Sequence, residues 1–63
     1  MADITIDEQI ACVRRELAMR QRVYPKWVAG GRMKQADADK ELERMQAVHD
    51  TLSDVKRGMG LPL

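Results

Sequence analysis

The chain has little of what usually stabilises a very short protein: its 63 residues include one cysteine, one histidine and no phenylalanine. A single cysteine excludes a disulfide within the chain, and one cysteine with one histidine cannot form a closed zinc site. A chain of this length also gains little free energy from its own core. Oligomerisation is the remaining means of stabilisation, so we expect a single domain, residues 1–63, that forms a homo-oligomer.

Long apolar runs are missing as well. No run approaches the roughly 20 residues that span a membrane, so a membrane is not an expected partner. The first four residues lack the basic-then-apolar layout of a secretion signal, and an unpaired cysteine suits a reducing compartment. We therefore expect a cytoplasmic protein.

Residues that could carry catalysis are few. Cys12 is far in sequence from His49 and belongs to the apolar flank of a helical pattern, so we expect it to be buried as a small apolar residue. The acidic residues between positions 37 and 43 alternate with other residues, which spreads them around a helix and away from a shared metal site. Gly30-Gly31 lacks the longer pattern of a phosphate-binding loop. The sequence predicts a protein that is not an enzyme and has no catalytic residue, cofactor or metal.

Apolar residues at helical spacing predict a first helix over residues 6–29. They recur every three or four positions, at Ile6, Ile10, Val13 and Leu17. Thr5, followed three residues later by Glu8, fits a capping box at the N-terminus. Pro25 removes a backbone donor and disfavours helical geometry at Tyr24, so we expect a kink at Pro25, with a true break at Tyr24 as the alternative. A second apolar line is expected to widen the buried face, at Cys12, Met19 and Val23.

A second helix is predicted over residues 35–57, after a turn at 30–34. Its apolar residues keep the same spacing, at Ala38, Leu42, Met45, Val48 or His49, Leu52 and Val55. Gly58 is expected to cap this helix, and residues 58–63 are expected to form a loose tail. Because the first helix must stop at Gly30-Gly31, one of these glycines should take a left-handed conformation.

Two helices of similar length joined by a short turn must lie antiparallel. Each helix then leaves part of its apolar face open, because a hairpin provides only one neighbouring helix. Pairing of hairpins closes that face. The predicted fold class is therefore all-α: an antiparallel two-helix hairpin that assembles into a four-helix bundle or a larger homo-oligomer. The residues expected to hold it together are Ile10, Val13, Leu17, Leu42, Met45 and Leu52.

Positive charge is concentrated in one stretch, residues 14–34, which we call the basic segment. It has five Arg and two Lys against one Glu, a balance of +6 in a chain whose formal net charge is +1. It also contains the only Tyr and the only Trp. Cations pair with phosphate and flat rings stack on bases, so this combination is typical of a nucleotide or nucleic-acid site. The candidate ligand-binding residues are Arg14, Arg15, Arg20, Arg22, Tyr24, Lys26, Trp27 and Arg32.

A structural interpretation of the same segment stands beside this one. In it, the basic helix lies against the more acidic second helix, and Trp27 and Tyr24 pack at the tip of the bundle under the arginine stems. The nearly neutral total charge further disfavours a protein that coats a long duplex. A compact anion is the better match to a local patch of cations.

The segment around the turn carries recognisable motifs. They are Val23-Tyr24-Pro25-Lys26-Trp27-Val28, Gly31-Arg32-Met33, Gln35-Ala36-Asp37-Ala38-Asp39 and Glu41-Leu42. With these motifs the chain, from Ile10 to Leu52, resembles a family of very small uncharacterised bacteriophage and prophage proteins. Similar sequences tend to have Ser or Thr where this chain has Lys34, which weakens the expected cap of the second helix. The resemblance implies a bacterial host cell as the setting and no particular activity.

Small phage proteins of this kind often act by binding, and two functions follow as hypotheses. In the first, the basic segment captures a phosphate-bearing ligand, a nucleotide signal or a short nucleic acid, to counter host defence. In the second, the protein is an inhibitor that docks the face of its hairpin on a host protein. Exposed rings beside the arginines favour the first, and rings buried under Leu17 or Leu42 favour the second.

Overall fold

The computed structural model describes residues 3–60, with side chains described for residues 3–58. It contains two helices, α1 (Ile6–Ala29) and α2 (Gln35–Gly60), and no strand among the described residues. The helices run antiparallel and pack against each other. The prediction of an all-α helical hairpin is confirmed, and α1 occupies the range expected from its apolar spacing.

The start of α1 is fixed by local hydrogen bonds. The Thr5 hydroxyl oxygen accepts from the backbone N–H of Glu8, and the Glu8 carboxylate accepts from the backbone N–H of Thr5, both at 3.1 Å. This reciprocal pair is the expected capping box. The helix then continues through Pro25 without the break considered at Tyr24. Because proline has no N–H, the carbonyl of Gln21 receives no hydrogen bond there from the helix.

The turn between the helices closes through backbone hydrogen bonds. Gly31 has a φ of 76°, as expected for one of the two glycines. Its N–H donates to the carbonyl of Val28 at 3.1 Å, and the N–H of Arg32 donates to the carbonyl of Trp27 at 2.8 Å. This pair of bonds around a left-handed residue is the Schellman motif. It ends α1 and keeps the backbone of Arg32 beside that of Trp27.

The second helix is longer than the sequence predicts. It begins after Lys34, whose carbonyl accepts from the N–H of Ala38 at 3.0 Å, and it runs to Gly60. Gly58 therefore lies inside α2, and the prediction that it caps the helix is wrong. Glycine stops a helix by turning left-handed; otherwise it costs only about 1 kcal/mol within the helix. The expected loose tail is helical over residues 58–60, and residues 61–63 lie outside the described part.

The core between the helices is thin. Only Ile10, Tyr24 and Ala38 are buried among the described residues, and no described side chain is fully enclosed. The other residues expected to hold the hairpin together are half-buried, namely Val13, Leu17, Leu42, Met45 and Leu52. A single neighbouring helix covers only part of each apolar face, which explains this partial burial.

The phase of the two helices corrects three expectations about burial. Cys12 and Met19 are exposed, because each lies about half a turn away from the buried stripe around Ile10 and Leu17. Val23 is half-buried. The apolar line expected to widen the buried face of α1 therefore points mostly outward.

On α2, the sequence left open which of two adjacent residues turns inward. His49 is half-buried, with its side chain 21% exposed, whereas Val48 is 46% exposed. His49 thus occupies the inner position and Val48 lies on the side of the hairpin. This choice leaves a branched apolar side chain facing outward.

A substitution at the turn tests the role of the left-handed residue. Gly31→Ala should lower the free energy of unfolding by about 1–2 kcal/mol, because side-chain-bearing residues pay roughly that cost in this conformation. An added Cβ meets nothing within 4 Å, so the backbone conformation alone is tested. Gly58→Ala is the control, since it lies in a helix with open space around it and should be neutral or stabilising. Thermal unfolding at equal protein concentration decides; equal melting temperatures for Gly31→Ala and the unsubstituted chain would contradict this role.

Candidate functional site

Three cations of α1 form an exposed line that we call the basic column: Arg15, Arg22 and Lys26. Their spacings of seven and four residues place them on one side of the helix. Arg14 is also exposed and lies on the neighbouring side, while Arg32 is exposed in the turn. The structure thus leaves all five of these candidate residues open to solvent.

None of these five cations has a carboxylate within 4.0 Å among the described side chains. Several acidic residues of α2 have partners on their own helix: Glu41 pairs with Arg44 at 2.8 Å, and Asp54 pairs with Arg57. Asp39 accepts a hydrogen bond from Gln35 at 2.9 Å. The acidic residues of α2 therefore do not neutralise these five cations. Arg20 is the exception.

Arg20 is the cation of the basic segment that pairs with carboxylates. Its Nε donates to Glu16 Oε1 at 2.9 Å, and its Nη1 lies 3.8 Å from Glu41 Oε2 on α2. Its side chain is only 24% exposed. The hydrogen bond to Glu16 raises the pKa of Arg20, against the smaller opposing effect of burial. Arg20 thus holds the two helices together, a different use from that of the basic column.

The two aromatic rings lie together but differ in exposure. The ring centroids of Tyr24 and Trp27 are 5.7 Å apart, and the planes are tilted by 35°. Tyr24 is 8% exposed and belongs to the core, whereas Trp27 is 41% exposed. Of the two rings that the structural interpretation packs at the tip of the hairpin, only Tyr24 is buried. Trp27 lies next to the Tyr24 ring and is partly open to solvent.

A cleft of about 370 Å³ lies along α1 beside these rings. It is lined by Glu16, Met19, Arg20, Val23, Tyr24 and Trp27. Most of this lining is apolar, and the Glu16–Arg20 pair supplies its polar wall. Sequence reasoning missed Glu16, Met19 and Val23 as parts of the site. Their helical spacing to Trp27 was the available signal, but nothing in that spacing indicates which side of α1 stays uncovered.

A second cavity, of about 420 Å³, lies on α2 and is lined by His49, Asp50, Ser53, Asp54 and Arg57. The Nδ1 atom of His49 has no hydrogen-bond partner and lies 3.6 Å from an Asp50 carboxylate oxygen. The described residues contain no group of three or more His, Cys, Asp or Glu side chains that could hold a metal ion. This cavity offers no set of converging donors comparable to the basic column.

Comparison with known proteins adds no assignment. No protein family matches the chain, no curated protein is significantly similar to it, and no solved structure matches it. Neither helix, over its described residues, has a stretch long and apolar enough to cross a membrane. A function must therefore be argued from the geometry of the hairpin itself.

Arg20 and the basic column should differ in how much each contributes to the free energy of unfolding. Arg20→Gln should lower the free energy of unfolding by about 0.5–1 kcal/mol, because it removes the contacts to both Glu16 and Glu41. Arg22→Gln, the matched control on the same helix, should change it by less than about 0.5 kcal/mol. Urea denaturation at one protein concentration gives both values. An equal loss in the two variants would mean that Arg22 also has a structural role.

Proposed function

We propose that this protein is a non-enzymatic binding protein that captures a phosphate-bearing ligand, a nucleotide or a short nucleic acid. The observation that supports it is the set of exposed cations without carboxylate partners, on a hairpin that also has one partly exposed indole ring. Cations that stabilise the fold would be paired, as Arg20 is. Cations without a partner in the hairpin are free to pair with an anion from outside.

Phosphate is the anion best suited to these residues. Guanidinium groups bind phosphate oxygens through paired, charge-assisted hydrogen bonds, which are roughly twice as strong as neutral ones. Arg15, Arg22 and Lys26 share one side of α1, and Arg14 lies on the neighbouring side. A ligand with two or more phosphates can contact several of them at once.

Trp27 is the group that would recognise a base. A base stacked on an aromatic ring contributes about 1–3 kcal/mol to the binding free energy, whichever base it is. Tyr24 lies next to the indole, with the ring centroids 5.7 Å apart, and Trp27 is still 41% exposed. Arg32 follows in the turn, where its backbone N–H donates to the Trp27 carbonyl. Of the eight candidate residues, we therefore assign base stacking to Trp27 and positioning to Tyr24 and Arg20.

The amount of charge limits the size of the ligand. The net charge of the chain is +1, so cations are concentrated locally without making the whole surface basic. This distribution suits a compact polyanion better than a long duplex. In a homo-oligomer two copies of the basic column become available to one ligand, and capture needs no catalytic group.

The resemblance to phage proteins suggests a biological role for such capture. A small protein that sequesters a nucleotide signal in the cytoplasm of a bacterial host would lower the free concentration of that signal. We propose that this is how the protein counters host defence.

Binding variants test the proposal. Isothermal titration calorimetry of mono-, di- and cyclic nucleotides and short oligonucleotides should find a ligand whose affinity falls as salt rises, because paired phosphates release counterions. Arg22→Ala combined with Arg32→Ala should weaken its binding at least tenfold, since each charged contact contributes about 1.5–3 kcal/mol. Lys40→Ala combined with Arg57→Ala removes the same charge elsewhere and is the matched control.

Two results would contradict the proposal. One is that no member of the panel binds at low salt. The other is that the control pair weakens binding as much as Arg22→Ala with Arg32→Ala, which would indicate a general effect of net charge. Either result would favour the host-protein inhibitor, because exposed apolar side chains such as Met19 and Val48 offer a surface for another protein.

A further inference from the structure

The basic column and the cleft beside the aromatic rings run next to each other along α1. The column extends from Arg15 through Arg22 to Lys26, and the residues that line the cleft extend from Glu16 to Trp27. The two ends of each feature are eleven residues apart, and one feature is offset from the other by a single position. At about 1.5 Å per residue, each is about 16 Å long. The column and the cleft are therefore matched in length and in direction.

The helical phase sets how far apart the two features are. Successive residues of an α-helix differ by about 100°, so Glu16, Val23 and Trp27 each lie about 100° around α1 from the preceding cation of the column. On a helix about 5–6 Å in radius with its side chains, this angle is an arc of about 9–10 Å. The long Arg and Lys side chains can lean across part of that arc, and a sugar spans the rest. A nucleotide whose phosphate is held by the column can thus place its base in the cleft.

The two features also differ in chemistry as the two edges of a nucleic-acid strand do. The cations of the column have no carboxylate within 4.0 Å among the described side chains. The lining of the cleft is mostly apolar, with Met19 42% and Trp27 41% exposed. The one carboxylate in that lining, on Glu16, pairs with Arg20 at 2.9 Å, so its charge is compensated. A single strand has phosphates along one edge and flat, stacking bases along the other, which matches this arrangement.

The length of the two features exceeds what one nucleotide can occupy. A mononucleotide has a single base, so it can fill only one end of the cleft. Stacked nucleotides in a strand advance by about 3.4 Å each, so about 16 Å corresponds to about five stacked nucleotides and to fewer in an extended strand. A single strand of about three to five nucleotides therefore fits the whole length of the column and the cleft.

We propose that the ligand is a single-stranded oligonucleotide that lies along α1, with its phosphates on the basic column and its bases in the cleft. This inference rests on the proposed function and selects one ligand class from those that the proposed function allows. Trp27 stacks on a base near the turn, and Arg15 binds a phosphate at the other end. Because stacking accepts any base, the site tolerates different sequences.

The dependence of affinity on strand length tests this placement. Oligothymidylates of two and six nucleotides, which do not pair with themselves, are titrated by calorimetry at low salt. The six-nucleotide strand should bind at least about tenfold more tightly, because only this strand reaches from Trp27 to Arg15 and gains the further charge-assisted contact. The slope of log K against log salt should be about −2 for this strand, as expected for three paired phosphates on a single strand.

A variant at the far end of the column distinguishes a long ligand from a short one. Arg15→Gln should remove most of the gain in affinity between the two-nucleotide and six-nucleotide strands and should make the salt slope shallower by about 0.7. Lys40→Gln removes the same charge from an exposed position on α2 and is the matched control, which should keep the whole gain. Far-ultraviolet circular dichroism checks that both variants are helical.

Three results would overturn the inference: equal affinity for the two strands, an unchanged gain in Arg15→Gln, or an equal loss of that gain in Lys40→Gln. In each of these cases binding is still observed, so phosphate capture stands and only the placement along α1 is wrong. Absence of binding by both strands and by the mononucleotides at low salt would instead contradict the proposed function and this inference together.

Discussion

Each helix of this hairpin has one neighbour, and most of the structure follows from that constraint. A helix that contacts one other helix can bury a single stripe of side chains. The buried residues are accordingly few, Ile10, Tyr24 and Ala38, and the rest of the apolar stripe is only half covered. Local interactions must then supply much of the order: a capping box starts α1, and a Schellman turn ends it. A chain built in this way has open sides, and those sides are where its function must be sought.

Because α2 covers only one side of α1, three sides of α1 have different roles. The inner side, with Tyr24, packs on α2; the lateral side, with Arg20, joins the helices through carboxylates; and the outer side carries the basic column without carboxylate partners. Lys and Arg side chains are normally solvated, so exposure alone means little. The difference lies in the pairing: one arginine of the segment has two acidic partners, and the segment's six other cations have none within 4.0 Å among the described side chains. Our proposal of phosphate capture depends on that difference.

The sequence predicted what local signals control. The capping box was readable from Thr5 and Glu8, and the left-handed glycine from the need to stop α1 at the turn. Features that depend on how one helix faces the other were not readable: the burial of Tyr24, the exposure of Cys12, and the choice of His49 over Val48 for the inner position. The Glu16–Arg20 pair follows from a spacing of four, but the contact of Arg20 with Glu41 needs the register between the helices. The prediction that Gly58 ends α2 was wrong because a glycine at the end of an apolar pattern stops a helix only when it takes a left-handed conformation.

The fluorescence of Trp27 tests the central claim most directly, because it is the only tryptophan and lies at the proposed base-binding position. The chain is titrated at low salt with the tightest-binding nucleotide and, separately, with inorganic pyrophosphate, which has the phosphates but no base. Our account predicts that the nucleotide quenches the indole emission in a saturable way, that added salt reverses the quenching, and that pyrophosphate competes without quenching. Emission that stays unchanged up to millimolar nucleotide, at concentrations where the protein is folded, would contradict it.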